Sequence, residues 1–552
     1  MAVFERRSED RTVIDDTKPF LLEIKDIQNV DGHIEYKIEG CRYPDIDEKW
    51  IVSHRFRDFV NLHSSLKTPT INLPSLPPKK VFGNTDKDFI NERKTLLQKY
   101  LSEILENYYV SISPQFRRFV DPVVYDGSFA EEARQHIMVA LRSSGTHEVS
   151  QPLPHIGTRV RKKYFLGRPL QNPKAVHTLW WAPYGPDRMK HLRDIHTSLT
   201  ALLHCKHSYI VSAINCIATE SGVCVVRPWF PQGSLRDYIY GVKPQFDSLL
   251  KYSNSKRREI DISTCAVYGR QILEAITFLH EKGIAHGSIH TGNVVIENNV
   301  CQLLDMENQI LGQPHPLRNF MIKIKKLNCL QAIDIYCFGH LLYELVFRDP
   351  LMMETCDDFP KESSPLCRSV LESILSSEAC KNGLPSASAL LTHPFFNEVP
   401  LLSYEKPFLK LPPAVKTAIA ATYEILLERL KEDQKKVKLQ RQKYRAETFL
   451  SEGERAVRSN RKVTKNVKSS EDNDSGVNVS PHLNSANVPI ARENKEENHS
   501  SIQPTLTEVP QNDLQEIESL PNSPSSHSRN QLLSSISNFD KNSLRRRPVP
   551  IP

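Results

Sequence analysis

Four residues in the first hundred could grip a phosphate between them: Arg55, Phe56, Lys79 and Arg93. A guanidinium holds a phosphate through parallel hydrogen bonds, and a flat ring beside it offers a stacking face. Lys79 stands on the proline-rich run from Leu73 to Lys80, which has few ways to collapse inward, and Arg93 starts a helical face. Taken singly, each is an ordinary surface charge. A second polar group, His286 to Asn293, lies between a long helical stretch and an extended run ending at Asp305. Near the C-terminus, Leu532, Leu533, Ile536 and Phe539 fall on one helical face, followed by Leu544 and the basic run Arg545 to Arg547. A short amphipathic helix of this kind can dock into a partner's groove.

The elements that must position the first group are legible from periodicity. Phe20, Leu22 and Ile24 alternate, as do Ile34, Tyr36 and Ile38, and Trp50 and Val52 lead into His54 and Arg55, which predicts three strands. Gly32 and Pro44 mark turns. Helices are predicted over Phe59 to Leu66 and over Asp88 to Glu106, the second with Phe89, Leu96, Leu97, Tyr100 and Ile104 on its apolar stripe. Strands followed by helices give a small α+β domain over residues 15–125.

His54-Arg55-Phe56-Arg57-Asp58-Phe59, Leu76-Pro77-Pro78-Lys79-Lys80, and Glu92-Arg93-Lys94 with Leu97 and Tyr100-Leu101 together resemble the PX domain family, in order and at its spacing. The resemblance implies a site for phosphatidylinositol 3-phosphate. Arg55 would hold the 3-phosphate and Phe56, where the family usually has Tyr, would stack under the inositol ring. Lys79 would meet the phosphate joined to glycerol, and Arg93 the ring hydroxyls opposite.

Residues 155–400 read as largely helical, with strands in the first third. Val223 to Trp229 is strand-like, Ile262 to Lys282 is helical, and Asp334 to Leu345 is an apolar helix with Asp334 as candidate N-cap. The order of Gly233-Ser234-Leu235, His286 to Asn293, Leu303 to Glu307, Asp334 to Gly339 and Leu391 to Phe396 resembles the protein kinase family, strongly in the large lobe and weakly in the small one. The resemblance puts Arg227-Pro228-Trp229-Phe230 at the hinge and Asn293 and Asp305 at the metal-holding positions. Against it, the catalytic carboxylate is replaced by Ser288, which cannot serve as a general base. Val176 to Trp181 holds no lysine to anchor ATP, no glycine-rich loop precedes it, and Glu307 takes the place of a turn glycine. The expectation is a pseudokinase without catalytic residue, metal or cofactor, with an atypical or weakly active serine/threonine kinase as the alternative.

A chain of 552 residues exceeds one hydrophobic core, so several domains are expected. Residues 404–446 read as a basic helical extension, whose apolar stripe of Val415, Ile419, Thr422, Leu426 and Leu430 suits packing on the kinase-like lobe. Between Lys435 and Lys468 twelve residues are Lys or Arg and three are Glu, a charge suited to solubility or an acidic membrane rather than nucleic acid. Residues 451–530, poor in aromatics, read as a disordered arm. Residues 531–547 resemble an actin-binding WASP-homology motif, which implies monomeric actin as partner. The eleven cysteines show no Cys-x-x-Cys pair. No leader and no apolar run of membrane-spanning length is read, so the expected location is cytoplasmic. The fold class is therefore multidomain α+β: a PX-like domain, a bilobal kinase-like domain and a disordered tail. That order of parts resembles a family joining a PX domain to a kinase-like domain. Its membership would imply a peripheral place on endosomal and plasma membranes, a role in sorting internalised receptors, and modulation of the sodium pump through its β subunits.

Overall fold

The computed structural model describes residues 13–468 except 69–70, 80–85, 126, 158, 254–256, 361–362 and 402–405, with side chains as far as residue 446. Lys80 and everything after 468 lie outside the described residues.

The first sheet follows from the alternation. β1 (Phe20–Val30) turns into β2 (His33–Arg42) through Asp31 and Gly32, both at positive φ, the geometry of a tight hairpin. β3 (Asp45–Arg55) completes the antiparallel order β1-β2-β3, with Ile38 opposite both Ile24 and Val52. Gly40 lies opposite Trp50, whose indole would stand 2.6 Å from any Cβ there. α1 (Phe56–Leu66), α2 (Lys87–Glu106), α3 (Tyr108–Ser111) and α4 (Pro114–Val120) cover one face, burying Phe59, Leu97, Tyr100, Ile104 and Phe116 against Tyr36 and Ile38. Leu96, read as part of the stripe, is 37% exposed; the buried face of α2 runs Arg93, Leu97, Tyr100, Leu101, Ile104.

The second domain begins earlier than residue 155. α5 (Phe129–Ser144) lays Ala133, Ile137, Ala140 and Leu141 over one face of a five-stranded antiparallel sheet, against Leu179, Trp181, Cys224 and Val226. That sheet, of order β4-β5-β6-β8-β7, comprises β4 (His147–Pro152), β5 (Lys163–Pro169), β6 (His177–Pro183), β7 (Asn215–Ala218) and β8 (Gly222–Pro228), with α6 (Leu192–Leu203) between β6 and β7.

The larger lobe is helical: α7 (Leu235–Ile239), α8 (Ser248–Ser253) and α9 (Ile262–Glu281), then the hairpin β9 (Val294–Glu297) and β10 (Val300–Leu303), α10 (Arg318–Met321), and α11 (Leu330–Phe347). Four shorter helices, α12 (Pro365–Leu375), α13 (Ser377–Asn382), α14 (Ala387–Leu391) and α15 (Pro394–Asn397), close it. α11 starts after Cys329, not at Asp334, because the apolar run reaches back to Leu330; Asp334 is an interior residue, fully buried. α11 is long and apolar enough to cross a membrane, yet 72% of it is buried here as the lobe's core helix.

α16 (Pro413–Lys468) outlasts the predicted boundary at 446 and runs into the stretch read as an arm. As expected, it packs on the lobe: Val415, Ile419, Thr422 and Leu430 are buried, and the Tyr423 hydroxyl accepts from the Ala285 amide at 2.6 Å.

Candidate functional site

Arg55 ends β3, Phe56 opens α1, Lys79 stands on the proline-rich loop and Arg93 on α2, and all four line one open cup of about 540 Å³ together with His33, Ile34 and Tyr36. The Asp58 carboxylate accepts from the Arg55 amide at 2.8 Å, which bends the chain from strand into helix at this residue. Arg55 keeps 48% of its side chain exposed, with Nε 3.4 Å from Glu35. Arg93 is buried instead. Its guanidinium lies between the rings of Phe56 and Phe89, 4.3 and 4.2 Å from their centroids, and donates to the Pro78 carbonyl at 3.4 Å. One face of Phe56 is thus already taken, and Arg93 tethers the loop that carries Lys79. Arg55, Arg57, Lys79 and Arg93 all line the cup, with Glu35 and Asp58 the carboxylates bonded to Arg55, so the cup carries an excess of positive charge suited to an anion.

The second candidate site is the cleft between the lobes. The amides of His286 and Gly287 each donate to Asp334 at 2.7 Å, so the buried acid of α11 shapes this loop. Gly287 has φ +70°, and a Cβ there would meet the Gln309 side chain at 2.2 Å. Ser288 is fully buried, and its hydroxyl accepts from Asn293 Nδ2 at 2.8 Å. Asp305 sits at φ +62°, aimed into the cleft.

Trp180 stands on β6 in the run read as lacking a lysine. A lysine nevertheless reaches the site from the neighbouring strand. Lys162, immediately before β5, has its Nζ 3.8 Å from the Trp180 ring centroid and 2.6 Å from Asp305 Oδ2. Sequence order hides it, because only the sheet places the entry to β5 beside β6. Arg227, read as hinge, is buried at the end of β8 and bonds both oxygens of Glu307 at 2.6 Å, with its Nε 3.6 Å from Asp305. Glu307, the residue in place of a turn glycine, is therefore a counter-ion. Burial alone would raise the Asp305 pKa, but Lys162 and Arg227 outweigh it and hold the carboxyl below its ordinary range. Burial also draws the Lys162 amine down from its usual value, against the pull of Asp305. His290 is pushed well below the ordinary imidazole range by burial and by His315, so it is neutral.

These side chains fill the cleft. A cavity of about 100 Å³ remains, smaller than the ~150 Å³ that accommodates benzene. Its mouth is crossed by Arg159, which donates to the Pro314 carbonyl and pairs with Asp16 at 3.3 Å. α6 presents Ser198, fully buried, toward Met189, and carries no glutamate.

Asp16 belongs to the segment leading into β1, so the first domain touches the cleft directly. Its neighbour Asp15, 5% exposed, pairs with Arg429 of α16 at 2.8 Å and lies 3.6 Å from Arg318 of α10. Arg318 in turn pairs with Asp433 at 2.8 Å, and Arg429 with Asp187 at 2.7 Å. At the start of β3, Asp45 accepts from Lys436 at 2.5 Å, and the Tyr109 and Tyr240 hydroxyls bond at 2.9 Å. The two domains and α16 thus share an ionic junction whose centre, around Asp15 and Arg318, is buried. Leu532, Leu533, Ile536, Phe539, Leu544 and Arg545 lie outside the described residues.

Residues 42–122 match the family model of the PX domain and residues 185–396 that of the protein kinase domain. The chain is 39% identical to the PX domain-containing protein kinase-like protein of Mus musculus, over 81% of this chain and 77% of that one. It is 33% identical to the Slowpoke-binding protein of Drosophila melanogaster, over 37% of this chain and 41% of that one. To the probable inactive serine/threonine-protein kinase slob1 of Dictyostelium discoideum it is 29% identical, over 38% and 41% respectively.

Proposed function

The chain belongs to the family of PX domain-containing protein kinase-like proteins, and on that premise we propose that it is a scaffold recruited to membranes by a 3-phosphorylated phosphoinositide. The observation that carries the reading is the convergence of Arg55, Phe56, Lys79 and Arg93 on one cup. Arg55, the exposed cation, takes the 3-phosphate, and Lys79 takes the phosphodiester. Arg93, held between two rings, offers its edge to inositol hydroxyls, and the ligand ring stacks on the face of Phe56 that Arg93 leaves free. The kinase-like domain is the platform of the scaffold and transfers no phosphate: a buried serine stands at the base position, and ion pairs occupy the cleft. Endosomal location, receptor sorting and the sodium pump β subunits are the family-level part of this proposal. Actin monomer binding by residues 531–547 completes it.

Flotation with liposomes containing phosphatidylinositol 3-phosphate tests the lipid reading. Arg55→Ala removes one charge-assisted pair, worth about 1.5–3 kcal/mol, and should weaken binding roughly 10- to 100-fold. Lys79→Ala should weaken it less, because an exposed lysine contributes as a point charge. Equal flotation of the wild type and the Arg55 variant would overturn the site.

A further inference from the structure

A second cavity, of about 260 Å³, lies between the first domain and the large lobe. Phe20, Leu105, Leu317, Phe320, Leu351 and Met352 give it an apolar side. His290, which also borders the interlobe cleft, forms part of its roof.

One charged residue of the wall lacks an ionic partner. Arg117, on α4, is 6% exposed, and among the described residues no carboxylate pairs with it. Its NH1 donates to the Tyr125 hydroxyl at 3.0 Å, and its guanidinium lies over the rings of Phe20 and Tyr125 at 5.5 and 5.3 Å. The other buried arginine of the wall, Arg236, is by contrast fully matched: Glu344 accepts from its Nε and NH2 at 2.8 and 2.9 Å. Lys18 is paired with Asp45, and Glu106 stands exposed at the rim. A buried charge without a counter-ion is costly, and a bound anion would relieve that cost. His340, also on this wall and buried, gives a second polar position.

We propose that this cavity binds a small organic carboxylate, its anionic end on Arg117 and an apolar body of about two rings against Leu317, Phe320 and Met352. A cavity of ~150 Å³ takes one benzene ring, so 260 Å³ accommodates a bicyclic body. Because the walls come from both domains, the ligand fastens one to the other. Binding linked to the docked state stabilises it by mass action.

The probe is 2-naphthoate, with neutral 2-naphthamide as its control, titrated into the full chain while thermal unfolding is followed. The carboxylate should raise the unfolding temperature in a saturable way and the amide should not. Arg117→Met, close in length and uncharged, should abolish the shift. Leu317→Trp, which fills the cavity from the lobe side and leaves Arg117 in place, should abolish it independently, so the result is readable if the Arg117 variant fails to fold. No shift with naphthoate, an equal shift with the amide, or a shift surviving in the Leu317 variant would overturn the proposal.

Discussion

Arg227→Met should lower the stability of the kinase-like domain by about 3–5 kcal/mol, the cost of leaving a buried carboxylate unpaired. Glu307 has both oxygens on this guanidinium at 2.6 Å and is 2% exposed, so it cannot turn to water. Asp305 would lose its second cation as well. For a domain of this size the loss corresponds to a fall in melting temperature on the order of 10 °C. The double replacement Arg227→Met with Glu307→Met should recover most of it, because apolar groups of similar volume replace a buried pair at little net cost. Differential scanning fluorimetry of the two variants decides the point. If the double variant is as unstable as the single one, the pair is not the source of the effect. The same series separates two views of the cleft. Lys162 beside Asp305 is the one arrangement that favours residual nucleotide binding, yet the ion pairs leave little room for it. Wild type should show no stabilisation by ATP and magnesium, and a shift that disappears in Lys162→Met would revive that alternative.

Asp15→Lys should have the second largest effect, directed at the junction of the domains. The replacement puts a cation among Arg318 and Arg429 in a buried setting, where removal of the acid alone already leaves charge uncompensated. The chain can relieve this by peeling its N-terminal segment away, which would also release Arg159 from Asp16 at the mouth of the cleft. The expected outcome is two separated thermal transitions where the wild type shows one, with lipid flotation retained because Asp15 is not among the residues lining the cup. A single unshifted transition would show that the junction does not hold the domains. Strong acid, well below pH 4, should imitate the variant. Desolvation by burial opposes ionisation of Asp15, but Arg429 and Arg318 prevail and hold its pKa below the ordinary value of 3.8. Its contribution is therefore complete above about pH 4 and is lost as pH falls through the depressed pKa. Asp187 acts oppositely: burial raises its pKa, so protonation there relieves part of the cost of burying it.

What could be read from the chain, and what could not, divides along sequence separation. Phe20, Leu22 and Ile24 alternate because their strand has one buried face, a property carried by neighbouring residues. The four cup residues could be named because each stands in a short motif with local geometry. An acid near a helix start is locally reasonable as a cap, but the bonds of Asp334 go to His286 and Gly287, nearly fifty residues away. Lys162 meets Asp305 across 143 residues, and Asp15 meets Arg429 across 414. No periodicity records such pairs, since what selects them is the fold's own juxtaposition. Glu307 illustrates the limit most clearly. Its presence signalled a lost turn glycine, but its role depended on a guanidinium that the hinge reading had assigned elsewhere.

β3 carries Arg55 at one end and Asp45 at the other. Arg55 lies opposite Glu35 and Asp45 opposite Arg42, so at ~3.3 Å per residue along β2 roughly 23 Å of sheet separates the cup from the contact with α16. The strand is thus a spar of fixed length. With its Arg55 end moored to a bilayer, the opposite end and the helix fastened there would stand off by no more than that distance. Partners tethered to that membrane by short stalks would then meet the platform only within a defined band of height. Lengthening or shortening such a stalk should tune capture without altering either contact surface.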